Sequence, residues 1–201
     1  MRIIAGQRRG HKFDGPKGSA TRPTSDLVRE SIFNILGTLV ENRVVVDLFA
    51  GTGALGLEAL SRGAERAVFV EQNRDNVALI HRNLTTLRFE GRGTVRLSDA
   101  YRWARAYQPV DDSPLAVFVD PPYREYDDRP EKVNQMLRQL VEKLPEGSVI
   151  AVESSRSLDA DVLPELESWD VRRYGGTQVA IRTVDRPDHE AGQAALPQGE
   201  E

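Results

Sequence analysis

At 201 residues, with 39% hydrophobic and 29% charged side chains, the chain is long enough to bury a core of its own, and its composition excludes the fibrous and wholly disordered classes. It contains no cysteine, which excludes disulfides, thiolate metal sites and any reaction through a cysteine nucleophile, methylation at C5 of a pyrimidine among them. The formal charge of −4 argues against a nucleic-acid partner only until it is divided along the chain: residues 1–30 hold seven Lys and Arg against three acids, whereas residues 185–201 hold Arg186 against five acids.

Residues 1–21 are rich in Gly and basic side chains around a strand-like Arg2-Ile3-Ile4, which predicts a small hairpin or arm. Its positive charge suits a phosphate backbone and equally a solvated hairpin. Pro23-Thr24-Ser25-Asp26 supplies helix-start chemistry for an amphipathic helix with Leu27, Ile32, Ile35, Leu36 and Leu39 on or near one face. Residues 44–49 form a β-branched apolar run that ends in a glycine-rich turn. A helix over 54–62 stops at Gly63, and 67–71 is a second strand. A helix follows over 74–87, with Val77, Ile80, His81, Leu84 and Leu87 at helical spacing. Strands are predicted at 94–97, 115–120 and 148–153, with a helix over 131–144 between the last two. Residues 169–173 and 178–183 read as a closing hairpin about Gly175-Gly176.

This alternation predicts an α/β fold with a mostly parallel sheet flanked by helices. Three segments are expected: a basic hairpin and helix extension over 1–40, the main domain over 41–184, and an acidic, disordered tail over 185–201. His11, His81 and His189 are too dispersed for a metal site, so no metal is expected. No apolar run approaches the roughly 20 residues that span a bilayer, and the N-terminus turns basic before any apolar signal region, so a cytoplasmic protein without membrane contact is expected.

Two motifs carry chemistry. Asp47-Leu48-Phe49-Ala50-Gly51-Thr52-Gly53-Ala54-Leu55-Gly56 places a G-x-G-x-x-G between a strand and a helix, with Glu71 ending the next strand. Such a turn lets an adenosine cofactor approach the backbone, and the acid on the second strand accepts from ribose hydroxyls. Asp47 precedes the glycines, where it would repel a pyrophosphate but suits the cationic amino-acid part of S-adenosylmethionine. The second motif, Asp120-Pro121-Pro122-Tyr123, ends an apolar strand. Its prolines remove two N–H donors and leave an acceptor-rich edge, the Asp120 carboxylate and the Pro121 carbonyl, beside an aromatic ring. That edge can hold both protons of an exocyclic base amine, stabilise the charge developing on its nitrogen, and stack a base taken out of its helix. Asp99, after the third strand, could accept from an adenine amino group or cap a helix.

With Arg2-Ile3-Ile4-Ala5-Gly6, Arg9-Gly10, Arg22-Pro23-Thr24, Arg29-Glu30-Ser31-Ile32-Phe33-Asn34, 56–64 and Tyr174-Gly175-Gly176-Thr177, these motifs resemble the bacterial guanine-N2 methyltransferases of small-subunit ribosomal RNA, within the class I S-adenosylmethionine-dependent methyltransferases. The match runs over roughly residues 1–183. The resemblance implies a seven-stranded Rossmann-like mixed sheet with helices on both faces. It also implies transfer of a methyl group to guanine N2 in 16S ribosomal RNA, with ribosomal RNA or the small subunit as partner.

Carried onto this chain, it puts S-adenosylmethionine against Asp47, Phe49, Ala50, Gly51, Thr52, Gly53, Gly56, Glu71, Gln72, Asp99 and Ala100, and the base amine against Asp120, Pro121, Pro122 and Tyr123. Arg22, Thr24, Arg29 and Asn34 would face the RNA, or else form a structural ion-pair and helix-cap cluster. Arg8, Arg9 and Lys12 would meet phosphates from the arm. The glycine and Asp-Pro-Pro-Tyr motifs are also those of DNA amino-methyltransferases, so DNA or another RNA is the alternative substrate. A nicotinamide-dependent oxidoreductase would use the glycine turn but leave 120–123 unexplained, and a non-catalytic RNA-binding module would leave the acids and glycines without purpose.

Overall fold

The computed structural model describes residues 1–15 and 25–185. Arg22 and Thr24, and the tail from residue 186, lie outside the described residues. Seven strands form one sheet in the order β3-β2-β1-β4-β5-β7-β6. They are β1 (Val44–Leu48), β2 (Arg66–Glu71), β3 (Gly93–Leu97), β4 (Ala116–Val119), β5 (Val149–Ser154), β6 (Asp170–Tyr174) and β7 (Thr177–Thr183). The first five run parallel, and β7 runs antiparallel to both β5 and β6. Strand order reverses between β1 and β4. That is where such a sheet opens a crevice at the carboxyl ends of its strands.

The fully buried β4, and β5 as far as Val152, are continuous apolar runs because helices cover both faces. On one face Val45, Ala67, Phe69, Phe118 and Ala151 pack with α1 (Asp26–Leu36), α2 (Ala54–Ser61) and α3 (Arg74–Leu87). On the other, Val46, Val117, Val119 and Ile150 pack with α4 (Ala100–Ala106), α5 (Tyr123–Asp128) and α6 (Pro130–Lys143). The caps were legible: Ser25 accepts from Val28 N at the start of α1, and Asn73 accepts from Asp75 N and Asn76 N at the start of α3. The third glycine of the motif has a packing role, since a Cβ on Gly56 would lie 2.3 Å from the Phe69 ring, so α2 sits hard on β2.

The N-terminal segment is indeed a small hairpin, with Arg2 bridged to Lys12 and a 3-10 turn at Gly6–Arg8, but it is docked rather than free-standing. Ile3 and Phe13 are buried in the same core as the sheet. Glu58 of α2, itself fully buried, accepts from Ile4 N (2.8 Å) and Ala5 N (3.0 Å). Asn83 of α3 accepts from Asp14 N and donates to the carbonyls of Asp14 and Thr52.

The expected apolar face of the first helix is corrected here. Leu27 is exposed, and Leu39 falls beyond α1 in a 3-10 turn (Gly37–Val40) and is exposed too, whereas Ile32 and Leu36 are buried as expected, together with Val28 and Phe33. Arg29, expected either to face RNA or to join a structural ion-pair cluster, is fully buried: its Nη2 donates to the Arg2 carbonyl (2.7 Å) and to Asp26 (2.9 Å), and its Nε lies 3.7 Å from Glu58. Burial lowers its pKa from the usual value while Glu58 and Asp26 oppose that shift. No solvent reaches it, which matches the ion-pair alternative.

Candidate active site

β1 ends in a corner that the chain takes on special backbone angles. Gly53, which opens α2, has φ of +80°, and Phe49 holds a left-handed φ of +60° that is unusual for a bulky residue. Such a conformation persists only where the surroundings fix it; the Phe49 ring meets Tyr101 edge-on with centroids 5.4 Å apart. Gly53 has no side chain to cap α2, and Asp47 supplies the missing acceptor from the strand, its Oδ2 taking Gly56 N at 2.9 Å. Burial pushes the Asp47 carboxyl well above the usual range; the Gly56 hydrogen bond opposes that shift, and neighbouring Asp120 and Glu71 add to it.

Glu71 ends β2 and pins the opposite wall. One carboxylate oxygen accepts from Gly51 N (2.8 Å), the other from Asn73 N (2.7 Å). Across the switch point, Asp120 follows β4 half-buried, Pro121 is buried, and Pro122 caps α5, whose first residue Tyr123 remains 37% exposed. Tyr126, one turn further along α5, donates from its buried hydroxyl to the Glu153 carbonyl at 2.6 Å and so ties the helix after the Asp120 turn to the end of β5.

These elements enclose a cavity of about 330 Å³. It brings together Asp47, Phe49, Ala50, Gly51, Thr52, Glu71, Gln72 and Ala100 from the expected cofactor set, and Asp120, Pro121, Pro122 and Tyr123 from the expected catalytic set. Gly53 and Gly56 stand behind it, shaping the turn and the helix seat. Asp99 is elsewhere: it caps α4 through Arg102 N (2.8 Å) and lines an adjoining polar cavity of about 510 Å³ that shares Phe49, Gln72 and Pro122 with the first.

Asn34 is exposed on α1. Arg9 and Lys12 are exposed on the hairpin, whereas Arg8 is partly buried, donating to the Leu87 carbonyl with its guanidinium over Phe89. Sequence reasoning missed Ala54, Leu55, Val70, Asn73, Asn76, Ser98 and Glu153 as lining residues. For Glu153 a signal existed: like Glu71, it stands near the carboxyl end of an apolar strand in the parallel part of the sheet.

The electrostatics of the cavity narrow its ligand. Four carboxyl groups line it, from Asp47, Glu71, Asp120 and Glu153, and no Lys, Arg or His is among the described lining residues. A dinucleotide pyrophosphate would meet only like charge there, whereas a ligand carrying an ammonium and a sulfonium meets opposite charge. Among the described residues no group of His and acidic side chains could hold a metal ion. No helix among them is long and apolar enough to cross a membrane.

The family model described as "Conserved hypothetical protein 95" matches residues 1–183. The chain belongs to that family. Its relative "Ribosomal RNA small subunit methyltransferase D" of Escherichia coli is 35% identical over 192 residues, covering 92% of this chain and 90% of the relative. A solved Escherichia coli chain, yhhF, provisionally named a methyltransferase, superposes with a TM-score of 0.74 at 34% identity over 92% of this chain and 98% of its own. An "RNA methyltransferase from Salinibacter ruber in complex with S-Adenosyl-L-homocysteine" shares the fold alone, at 17% identity and a TM-score of 0.59, over 84% of this chain and 97% of that one. The seven-stranded sheet is therefore the class I methyltransferase fold, as expected from the sequence.

Proposed function

We propose that this family member transfers a methyl group from S-adenosylmethionine to the exocyclic N2 amine of a guanine in small-subunit ribosomal RNA. The observation that carries this reading is the convergence of the two motifs: the Asp120 turn and the Asp47 to Gly53 corner line one cavity from opposite sides of the switch point. The name of the Escherichia coli relative supports ribosomal RNA as substrate, and the product cofactor in the Salinibacter neighbour supports S-adenosylmethionine.

S-adenosylmethionine, when bound, supplies an electrophilic methyl group. Asp47 would face its ammonium, and Glu71 has lone pairs left for the ribose hydroxyls. The Asp120 carboxylate and the Pro121 carbonyl would each accept one proton of the base amine. They would hold the nitrogen in line, and they would oppose the positive charge it gains as the N–C bond forms. The proton the amine then gives up leaves along the Asp120 hydrogen bond. Tyr123, exposed at the rim, offers a face on which an extruded base stacks.

The deciding test is methyl incorporation by the purified protein into small-subunit RNA or particles from cells lacking this gene, against duplex DNA. Incorporation confined to a guanine N2 of the RNA is expected, and incorporation into DNA alone would overturn the reading.

Two further outcomes are expected. Glu71→Ala should weaken S-adenosylmethionine binding about tenfold to a hundredfold by calorimetry, because the ribose loses a charged acceptor and Gly51 N loses its anchor. Wild-type affinity would remove the ribose from the end of β2. Replacing Arg9 and Lys12 by Ala should weaken RNA binding and lower its salt slope by about 0.7–0.9 per lost phosphate contact, with cofactor affinity unchanged. An unaltered slope would make the exposed face of the hairpin a solvated surface.

A further inference from the structure

Glu153 is the one carboxylate of the cavity for which the reaction just described has no use. It stands on β5, where Val119 of β4 pairs with Val152, so Asp120 and Glu153 follow at matching positions on neighbouring parallel strands. Adjacent strands lie about 4.8 Å apart. Both residues line the cavity, and Glu153 is 6% exposed. The Tyr126 hydroxyl, bonded to the Glu153 carbonyl, fixes this strand end to the helix that continues the Asp120 turn. The arrangement puts two carboxyl-bearing residues at matching positions on the wall of one cavity.

The hydrogen-bonding edges of the bases differ in one respect that such a pair can read. Guanine presents two adjacent donor groups, the N2 amine and N1–H. Adenine and cytosine place a ring-nitrogen acceptor next to their exocyclic amine. A second carboxylate beside the amine acceptor therefore completes a hydrogen bond with guanine and meets a lone pair in the other two. We propose that Glu153 is a specificity-determining residue that accepts N1–H of the target guanine while Asp120 and Pro121 hold its N2 amine. This rests on the guanine-N2 reading above and adds to it the group that selects the base.

The test uses small subunits reconstituted with ribosomal RNA carrying, at the mapped target position, either guanine or 2-aminopurine, which keeps the 2-amine but replaces N1–H with a lone pair. The wild-type protein should prefer guanine in kcat/KM. Glu153→Gln, which can turn an amide N–H toward that lone pair, should narrow the preference by about tenfold or more. Loss of the 6-oxygen in 2-aminopurine is common to both proteins and cancels in the comparison. S-adenosylmethionine affinity, measured by calorimetry, should stay within about twofold of wild type. An unchanged guanine preference in Glu153→Gln would overturn the role of Glu153 while leaving guanine methylation intact. No methylation of guanine N2 by the wild-type protein would overturn the underlying reading instead. Glu153→Asp, which keeps the charge on a shorter arm, guards against a Gln variant that fails to fold: a retained guanine preference at reduced kcat supports the proposal, and wild-type kcat overturns it.

Discussion

Asp120→Ala should lower methyl transfer by about 10²–10³ in kcat, the cost of losing one preorganised hydrogen-bonding group at a site where charge develops. Asp120→Asn keeps an acceptor oxygen but removes the charge that opposes the nascent cation, so intermediate activity is expected. The informative pattern is activity falling in the order Asp, Asn, Ala while calorimetric affinity for S-adenosylmethionine is largely retained. The mutated side chain is half-buried at a strand end and its neighbour Pro121 is buried, so the turn has backbone reasons to persist without it. Removing Asp120 also relieves like charge beside Asp47, so cofactor affinity should not fall through loss of folding. Full activity in Asp120→Ala would sink the assignment of the turn to the amine.

The largest stability loss is expected away from the cavity. Glu58 is buried and holds Ile4 N, Ala5 N and the Arg62 guanidinium, with fully buried Arg29 at 3.7 Å. Glu58→Ala leaves Arg29 inside the core with only Asp26 as counter-ion and strands two backbone amides. Breaking a buried pair in this way costs about 3–5 kcal/mol, or about 6–20 °C in Tm for a chain of this size. Adding Arg29→Met to Glu58→Ala should recover part of the loss, because the uncompensated charge disappears while the amides of Ile4 and Ala5 stay unmet. A calorimetric Tm within about 2 °C of wild type for Glu58→Ala would show that the cluster does not hold the hairpin to the core.

Much of this fold is legible because its signals are local. The helix over 74–87 carries its own cap at Asn73 and its own apolar period, and the hairpin turn at Gly175-Gly176 needs only its two residues. The Asp120 turn is equally self-contained, since two consecutive prolines after an apolar strand state both a stop and an acceptor-rich edge. Arg29 was not legible, because what decides between a surface cation and a core ion pair is Glu58, on a different helix. Leu27 misleads for a related reason: a short helix of 11 residues allows more than one apolar face, and the partner surface chooses, while Leu39 lies past the end of that helix, which stops at Gly37 with φ of +53°. The short helices α4 and α5, with 7 and 6 residues, are too brief to show a period. Glu153 near the end of its apolar strand was a signal of the kind Glu71 gave, but solvated acids end strands as well, and the register with β4 is what gives it a place in the cavity.

Asn83 has a further consequence, in how the molecule opens. Its side chain is the shared partner of Asp14, on the N-terminal segment, and of Thr52, in the glycine turn. Neither segment can leave without breaking hydrogen bonds made by that one amide, so the two behave as a single cooperative unit in local unfolding. A ligand that steadies the glycine turn is therefore expected to slow solvent exchange at the Asp14 amide, 69 residues from Asn83 in sequence, and hydrogen exchange with and without S-adenosylmethionine checks it.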